Sequence, residues 1–206
     1  MKILGFNASP RLEGNCRLSV NKVLEYAKTL GYETELIDLN LLDIKPCLSC
    51  NFCKAHAGLC MLDDDMQDIR RKIREADALI LAAPIYFSQL NAQATLFINR
   101  LYAFYQTEML QAKGESYIVT IKNIYDYDIL DSDVLKNIKA GVIITQGLEN
   151  EEEYSKYIES GIFDQLNFLF NLKDILVLTD TNEPGIVGKR DEQLAKIDNF
   201  AKTVLE

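Results

Sequence analysis

No segment of this 206-residue chain is apolar for long enough to cross a membrane. Nor does the N-terminus, Met1-Lys2-Ile3-Leu4-Gly5-Phe6, carry the hydrophobic stretch and cleavage site of a secretory leader; it enters a strand-like run at once. These absences lead us to expect a cytoplasmic protein with no membrane partner. Basic side chains are scarce, 22 against 31 acidic ones, for a formal charge of -9. Without a dense Lys/Arg stripe, such a surface repels nucleic-acid backbones and anionic lipid, so no nucleic-acid partner is expected. The nearest approach to a basic patch, Arg70-Arg71-Lys72 with Arg74, falls on a helix beside acidic neighbours and reads as a solvated face. The dinucleotide and P-loop signatures, G-x-G-x-x-G and G-x-x-x-x-G-K-[ST], are both missing. Internal repeats, low-complexity tracts and long linkers are absent too, and the length suits a single domain, residues 1–206. No convincing nucleophile–base pair occurs, so no catalytic side chain is expected.

What is present is an alternation of β-rich runs and amphipathic stretches. Lys2–Asn7, Thr34–Leu39, Asp77–Pro84, Ala140–Thr145 and Asp174–Thr179 read as five strands, the third an almost continuous apolar run of the kind buried on both faces of a parallel sheet. Helices are expected over Cys16–Leu30, with Gly31 as its stop, from Asp63 or Asp64 to Glu75, and over about Asn91–Tyr105. Another opens at Glu151-Glu152-Glu153, and a last one runs from Asp191 to the end. Alternation of this kind implies right-handed crossovers and an α/β fold, with strand order 2-1-3-4-5 and a ligand site beyond the carboxyl ends of the strands. Glu115–Lys139 breaks the pattern: Tyr117–Ile121 resembles an extra strand and Tyr125–Leu130 mixes aromatic and acidic residues, so the segment reads as an insertion or edge hairpin.

Between the first strand and its helix lies Asn7-Ala8-Ser9-Pro10-Arg11-Leu12-Glu13-Gly14-Asn15-Cys16. A phosphate accounts for most of these residue types. Backbone N–H groups at a helix start face an anion, Ser9 and Asn15 add neutral donors, Arg11 adds a charged one, and Gly14 lets the backbone approach. The third strand ends in Pro84-Ile85-Tyr86-Phe87-Ser88 and the fourth in Thr145-Gln146-Gly147, which bring aromatic, amide and hydroxyl groups to the same sheet end. Taken together, the loops suit a phosphorylated aromatic ligand.

Four of the five cysteines, Cys47, Cys50, Cys53 and Cys60, form a C-x2-C-x2-C-x6-C run within a loop at residues 46–62. In a reducing compartment such spacing favours a metal or redox centre over a structural disulfide. It is similar to compact runs that ligate [4Fe–4S] clusters, though without the proline that follows the last cysteine in bacterial ferredoxins. Zinc also accepts four thiolates, and reversible dithiol chemistry at Cys50 and Cys53 is a third option. His56, the sole histidine, reads as an exposed loop residue.

Ser9-Pro10-Arg11…Gly14-Asn15-Cys16, Pro84-Ile85-Tyr86-Phe87 and Ala92-Gln93…Phe97-Ile98-Asn99-Arg100 resemble the NAD(P)H-dependent FMN reductase-like, flavodoxin-fold family. The Cys47–Cys60 segment followed by Asp63-Asp64-Asp65-Met66 resembles its iron–sulfur flavoprotein branch. The resemblance implies a flavodoxin-like three-layer α/β/α sandwich. It implies FMN with its phosphate on Ser9, Arg11, Asn15 and Cys16 and its isoalloxazine against Pro84–Ser88 and Thr145–Gly147. Relatives commonly have Ser where this chain has Cys16, a weaker donor. The implied activity is NAD(P)H-dependent reduction of FMN, quinone-type or other small acceptors, with NAD(P)H docking transiently and a cluster at the four cysteines as a one-electron relay. Two rivals stand beside it: a flavoprotein carrier serving a ferredoxin-like partner, and a metal–thiolate redox sensor. A homodimer or homotetramer is expected, because an open sheet of this kind leaves the flavin face half exposed.

Overall fold

The three central parallel strands, Lys2–Asn7, Ala78–Tyr86 and Lys139–Thr145, bury both of their faces, and the arrangement of the sheet follows from that. The structure, a computed structural model, describes residues 1–56, 58–105 and 132–206. Strands β1 (Lys2–Asn7), β2 (Glu33–Asp38), β3 (Ala78–Tyr86), β5 (Lys139–Thr145) and β6 (Asn171–Leu178) run parallel in the order β2-β1-β3-β5-β6. Counting only these five, the order is 2-1-3-4-5. The short β4 (Gln89–Leu90) folds back antiparallel onto β3.

Side chains alternate between two cores, as the strand period requires. Ile3 and Ile80 face α1 (Asn15–Thr29) and α8 (Asp191–Leu205), where Val20, Val23, Leu24, Phe200 and Val204 close one layer. Leu4, Phe6, Leu79, Leu81, Val142 and Ile144 face the opposite layer, formed by α3 (Met66–Arg74), α4 (Ala92–Leu101) and α7 (Asp164–Leu169). Each fully buried Ile, Leu or Phe contributes about 1.5–3 kcal/mol to this sandwich. Gly5 and Gly141 lie level with Ile80 across the sheet. A Cβ at Gly5 would meet Val20 Cγ1 at 2.4 Å, and one at Gly141 would meet Phe200 Cζ at 2.6 Å, so their bareness lets α1 and α8 settle closely. At the end of α1, Gly31 (φ 81°) makes a Schellman stop, with Gly31 N donating to Lys28 O at 3.0 Å and Tyr32 N to Ala27 O at 3.1 Å.

The structure departs from several expectations. The stretch opening at Glu151 is not one helix: it comprises α6 (Ser155–Ile158), a π-helical turn at Glu159–Phe163 and then α7. Glu151–Glu153 lie in turns before it. Strand β6 begins three residues earlier than its apolar run, because a bulge at Ala140/Gly141 lets Lys173 slip past the register. A hairpin not expected at all joins β3 to β4. Of the supposed insertion, Tyr117–Ile121 and Tyr125–Leu130 lie outside the described residues; Ser132–Asn137 is helical (α5) and Lys139 is already in β5. The basic patch on α3 is divided. Arg71 pairs with Asp68 and Glu75, and Lys72 with Glu35 and Asp68, at or near the surface, whereas Arg70 points inward and is buried. Among the described residues no helix is long and apolar enough to cross a membrane.

Candidate functional site

The turn between β1 and α1 is organised before any ligand enters it. Asn7, fully buried, accepts from Ser9 N at 3.1 Å and donates to Asp38 Oδ1 at 2.8 Å. Ser9 Oγ accepts from Arg11 N at 3.2 Å, and Gly14 N closes the turn on Arg11 O at 3.1 Å. A side chain at Gly14 would press on Arg11 Cβ and O at 3.0 Å. The first bond into α1 is Leu18 N to Gly14 O, no side chain caps the helix, and its first turn holds no acidic residue. The amides at the start of a 15-residue helix thus point their positive end into the cleft.

These residues border a cavity of about 150 Å³ at the carboxyl end of the sheet. Ser9, Arg11, Gly14, Asn15 and Cys16 form one side, Pro84, Ile85 and Tyr86 a second, and Thr145 and Gly147 a third. Ten of the thirteen residues singled out from the sequence therefore meet there. Thr181 and Asn182, in the loop after β6, complete the wall and were not singled out. Asn182 Nδ2 donates to Gly147 O at 3.0 Å, while Thr181 Oγ1 donates to Gln146 O at 2.9 Å.

Three of the singled-out residues stand elsewhere. Phe87 and Ser88 form the two-residue turn of the β3–β4 hairpin, both left-handed (φ 50° and 66°) as a type I′ turn requires, and Phe87 is fully exposed. Gln146 is buried and turned into its own loop, its Nε2 donating to Asn150 O at 2.6 Å. Asn15 does line the cavity, but its side chain is committed: Nδ2 donates to Thr181 O (3.0 Å) and Glu183 O (2.8 Å), and Oδ1 accepts from Val187 N (3.1 Å). It fastens the β6 loop, leaving its backbone amide for a ligand. Cys16 Sγ lies 3.2 Å from Thr145 Oγ1, and burial pushes its thiol up to about 12, partly opposed by Thr145. A thiol so placed stays protonated at neutral pH and is a poor nucleophile.

The cysteine loop is a second construction, stapled at its base. Lys45 N donates to Asp64 Oδ2 at 3.0 Å, and Asp43 N to Asp65 Oδ2 at 2.7 Å. Within the loop Ser49 and Asn51 hold left-handed backbone (φ 52° and 56°), a conformation that costs a non-glycine residue about 1–2 kcal/mol. All four cysteines, Cys47, Cys50, Cys53 and Cys60, are among the residues that line one small cavity of about 30 Å³ with Asn99 and Arg100. Among the described residues no three His, Cys, Asp or Glu side chains have converged into a formed metal site. Facing one cavity is a weaker condition than ligating one atom, and only the former holds here.

The surroundings of the thiols suit an anionic metal–thiolate group. Ser49 N donates to Cys47 Sγ at 3.4 Å, and Arg100 Nη2 to Cys60 Sγ at 3.4 Å. Arg100 also donates to Lys45 O at 2.7 Å and makes a bidentate pair with Asp64, both side chains buried. Burial works against the Asp64 charge, but the Arg100 guanidinium and two backbone amides more than offset it and hold the carboxyl below its usual range. Burial pushes the Cys53 thiol up, Lys54 pulls it down, and Cys60 and Cys47 push it up. His56 is not exposed as expected: its ring stacks on Phe52 at 3.7 Å, with Nδ1 2.8 Å from Phe52 O. A larger cavity of about 610 Å³ lies between α4 and α7 and reaches Cys47, but its walls are mostly apolar and it has no phosphate cradle.

The chain has relatives among known proteins. An iron-sulfur flavoprotein of Methanocaldococcus jannaschii is 41% identical over 100 residues, 48% of this chain and 51% of the relative. One from Methanosarcina thermophila is 38% identical over 100 residues, 48% of this chain and 52% of the relative. The chain thus spans about half the length of the curated relatives it matches. Among solved structures, an NAD(P)H:quinone oxidoreductase from Methanothermobacter marburgensis superposes with a TM-score of 0.65 at 17% identity, covering 98% of each chain. A flavone reductase gives 0.68 at 18% identity, covering 99% of this chain and 62% of that one; both likenesses speak to the fold alone. The family model for NADPH-dependent FMN reductase matches residues 1–124, more than half of the sequence and all of the thiol loop, and the chain belongs to that family.

Proposed function

We propose that this chain is an FMN-binding oxidoreductase that draws electrons from NAD(P)H and delivers them to a quinone-type or other small acceptor. A cysteine-ligated iron–sulfur centre at Cys47, Cys50, Cys53 and Cys60 acts as its relay. The observation that carries the reading is the single cavity where the uncapped start of α1, the Pro84–Tyr86 strand end and Thr145 with Gly147 meet. FMN, when bound, supplies hydride acceptance from a nicotinamide and release of electrons singly or in pairs.

The residues of the chain do the holding. The amides at the start of α1 and the Arg11 guanidinium receive the phosphate dianion, with the helix dipole adding about 0.3–1 kcal/mol. At about 150 Å³ the cavity is smaller than the 300–1,000 Å³ typical of a pocket that encloses a whole ligand. It suits the phosphate end, with the ring lying outward beside Tyr86. No side chain is required to move a proton, in keeping with Cys16 staying a neutral thiol. At the thiols, four cysteines lining one cavity and the Ser49 and Arg100 donors support a metal–thiolate group over a disulfide. All five cysteines are free, which suits the cytoplasm. Tyr86, Phe87 and Leu148 stand exposed at the cleft mouth, and a second copy of the chain covers them.

The test is a visible spectrum with iron, sulfide and zinc analysis of anaerobically purified protein, followed by NAD(P)H oxidation with quinone or FMN as acceptor. Flavin bands, iron with sulfide, and steady turnover are expected. Folded protein that is colourless and refuses added FMN would end the reading. Zinc without flavin would make the chain a thiolate sensor instead.

A further inference from the structure

Arg70 sits on α3 with its guanidinium turned inward, 2% exposed, beneath the loop that carries the thiols. Its Nη2 donates to Gly58 O, in the turn between Cys53 and Cys60. Gly58 N in turn donates to Cys53 O at 2.9 Å, so the contact bears directly on the backbone of a thiol residue. Arg100 reaches the same loop from the other side, but Asp64 neutralises it. Arg70 has no such partner: among the described residues no carboxylate pairs with it, and its buried Nε lacks a hydrogen-bond acceptor. The Phe104 ring, 5.3 Å away, compensates only weakly. Burial first, then the charge of Arg74, pulls its guanidinium down to about 10; the groups that act in its favour are Cys60 and Cys53. A buried cation without a counter-charge is strongly unfavourable, so a fold that keeps one has an anion in store for it.

We propose that Arg70 is the charge-compensating positioning residue of the thiol centre: its guanidinium, buried under Gly58 and paired with no carboxylate among the described residues, is balanced by the negative charge of a metal–thiolate group on the four cysteines. This rests on the thiolate reading above and adds which residue answers that charge. The Arg100–Asp64 pair, already neutral, ties the limbs of the loop together. Arg70 supplies the net positive charge beneath it.

Arg70→Met and Arg70→Lys would be compared with the wild-type chain after anaerobic reconstitution with iron and sulfide, and again after stripping with a chelator. Flavin content is measured alongside. For Arg70→Met, metal affinity falls by about 10- to 100-fold. The reduction potential moves more negative, because a cation favours the more negative reduced centre. Flavin absorbance stays at its wild-type level. Arg70→Lys keeps the charge and holds the potential near the wild-type value. In thermal unfolding, Arg70→Met lowers the midpoint of the loaded chain but raises that of the stripped chain, since it removes a stranded cation. A merely structural arginine cannot give that inversion of sign.

Equal loss of midpoint in both forms, or a potential that Arg70→Met leaves unmoved, overturns the proposal. Should Arg70→Met fail to fold, Arg70→Gln against Arg70→Lys makes the same comparison of potential. A wild-type chain that takes up flavin but no metal overturns the thiolate reading and this proposal with it, a result seen before any variant is made.

Discussion

At the carboxyl end of the sheet, backbone amides at the start of a 15-residue helix stand open to an anion, in a turn whose own polar groups are already bonded to one another. Under the thiol loop lie buried guanidinium groups, in a segment that bends through two left-handed non-glycine residues. The cleft keeps its one lining cation, Arg11, exposed to solvent and is preorganised by the strands that feed it. The loop instead buries full charges, one paired with Asp64 and one with no carboxylate partner among the described residues, and depends on side chains arriving from α3 and α4. A site made of dipoles tolerates being empty, because nothing in it is stranded without a ligand. A site made of buried charge does not, so its occupant becomes part of the fold.

The comparison can be broken most forcefully at Asp64. Asp64→Asn leaves Arg100 buried with half a partner and should cost about 3–5 kcal/mol in chemical denaturation. FMN affinity per folded molecule should not change, since the cleft shares neither residue. The pH dependence has a definite sign. The folded Asp64 carboxyl lies below its ordinary value, so its contribution is complete above the unfolded pKa of about 3.9 and is lost as pH falls below it. Wild-type protein should therefore lose stability on acidification more steeply than Asp64→Asn. Equal slopes would remove the pair from the account.

The reciprocal break is Asn15→Ala, which frees the carbonyls of Thr181 and Glu183 and the amide of Val187. We expect a loss of about 1–3 kcal/mol in stability. FMN binding should weaken with it while metal content is unaffected; iron loss from this variant would show that the two regions are coupled. Gly147→Ala sharpens the same point more gently. Its Cβ would fall 2.3 Å from Asn182 Oδ1 and displace that wall, weakening FMN by about tenfold, or ~1.4 kcal/mol, in a flavin titration. Smallest of all is Cys16. Buried and pushed up to about 12, it should escape alkylation at pH 8 in the folded chain, whereas the exposed Cys47 and Cys50 react once metal is stripped. Mass spectrometry separates the two outcomes.

Strand β1 and the starts and stops of α1 and α8 were legible because their signals are local: alternating burial, a glycine stop, an apolar stripe at helical spacing. That the β1–α1 turn would lie at a cavity was legible for the same reason, since its residues are consecutive. The hairpin at Phe87–Ser88 was not, because a type I′ turn ordinarily advertises itself with Gly or Asn and here uses neither. Asn15 illustrates the limit at a single position. Its place at the start of a helix beside an anion site was readable, but its partners lie more than 160 residues away, and they take the side chain out of the ligand's reach. Arg70 is the sharper failure. In a run of basic residues it looked solvated, and nothing in its neighbours marks it as the one that faces inward.

By itself the sequence determined the alternation of strands and helices, the polar turn between the first strand and its helix, and the chemical identity of the four thiols, because each depends on residues close together in the chain. Tertiary structure alone decided that the loop after β6 closes the cleft and that Asn15 holds that loop. It also decided that Asp64 neutralises one arginine, while the other has no carboxylate partner among the described residues. Charge compensation and desolvation are properties of what packs around a group, and packing is set only when distant elements meet.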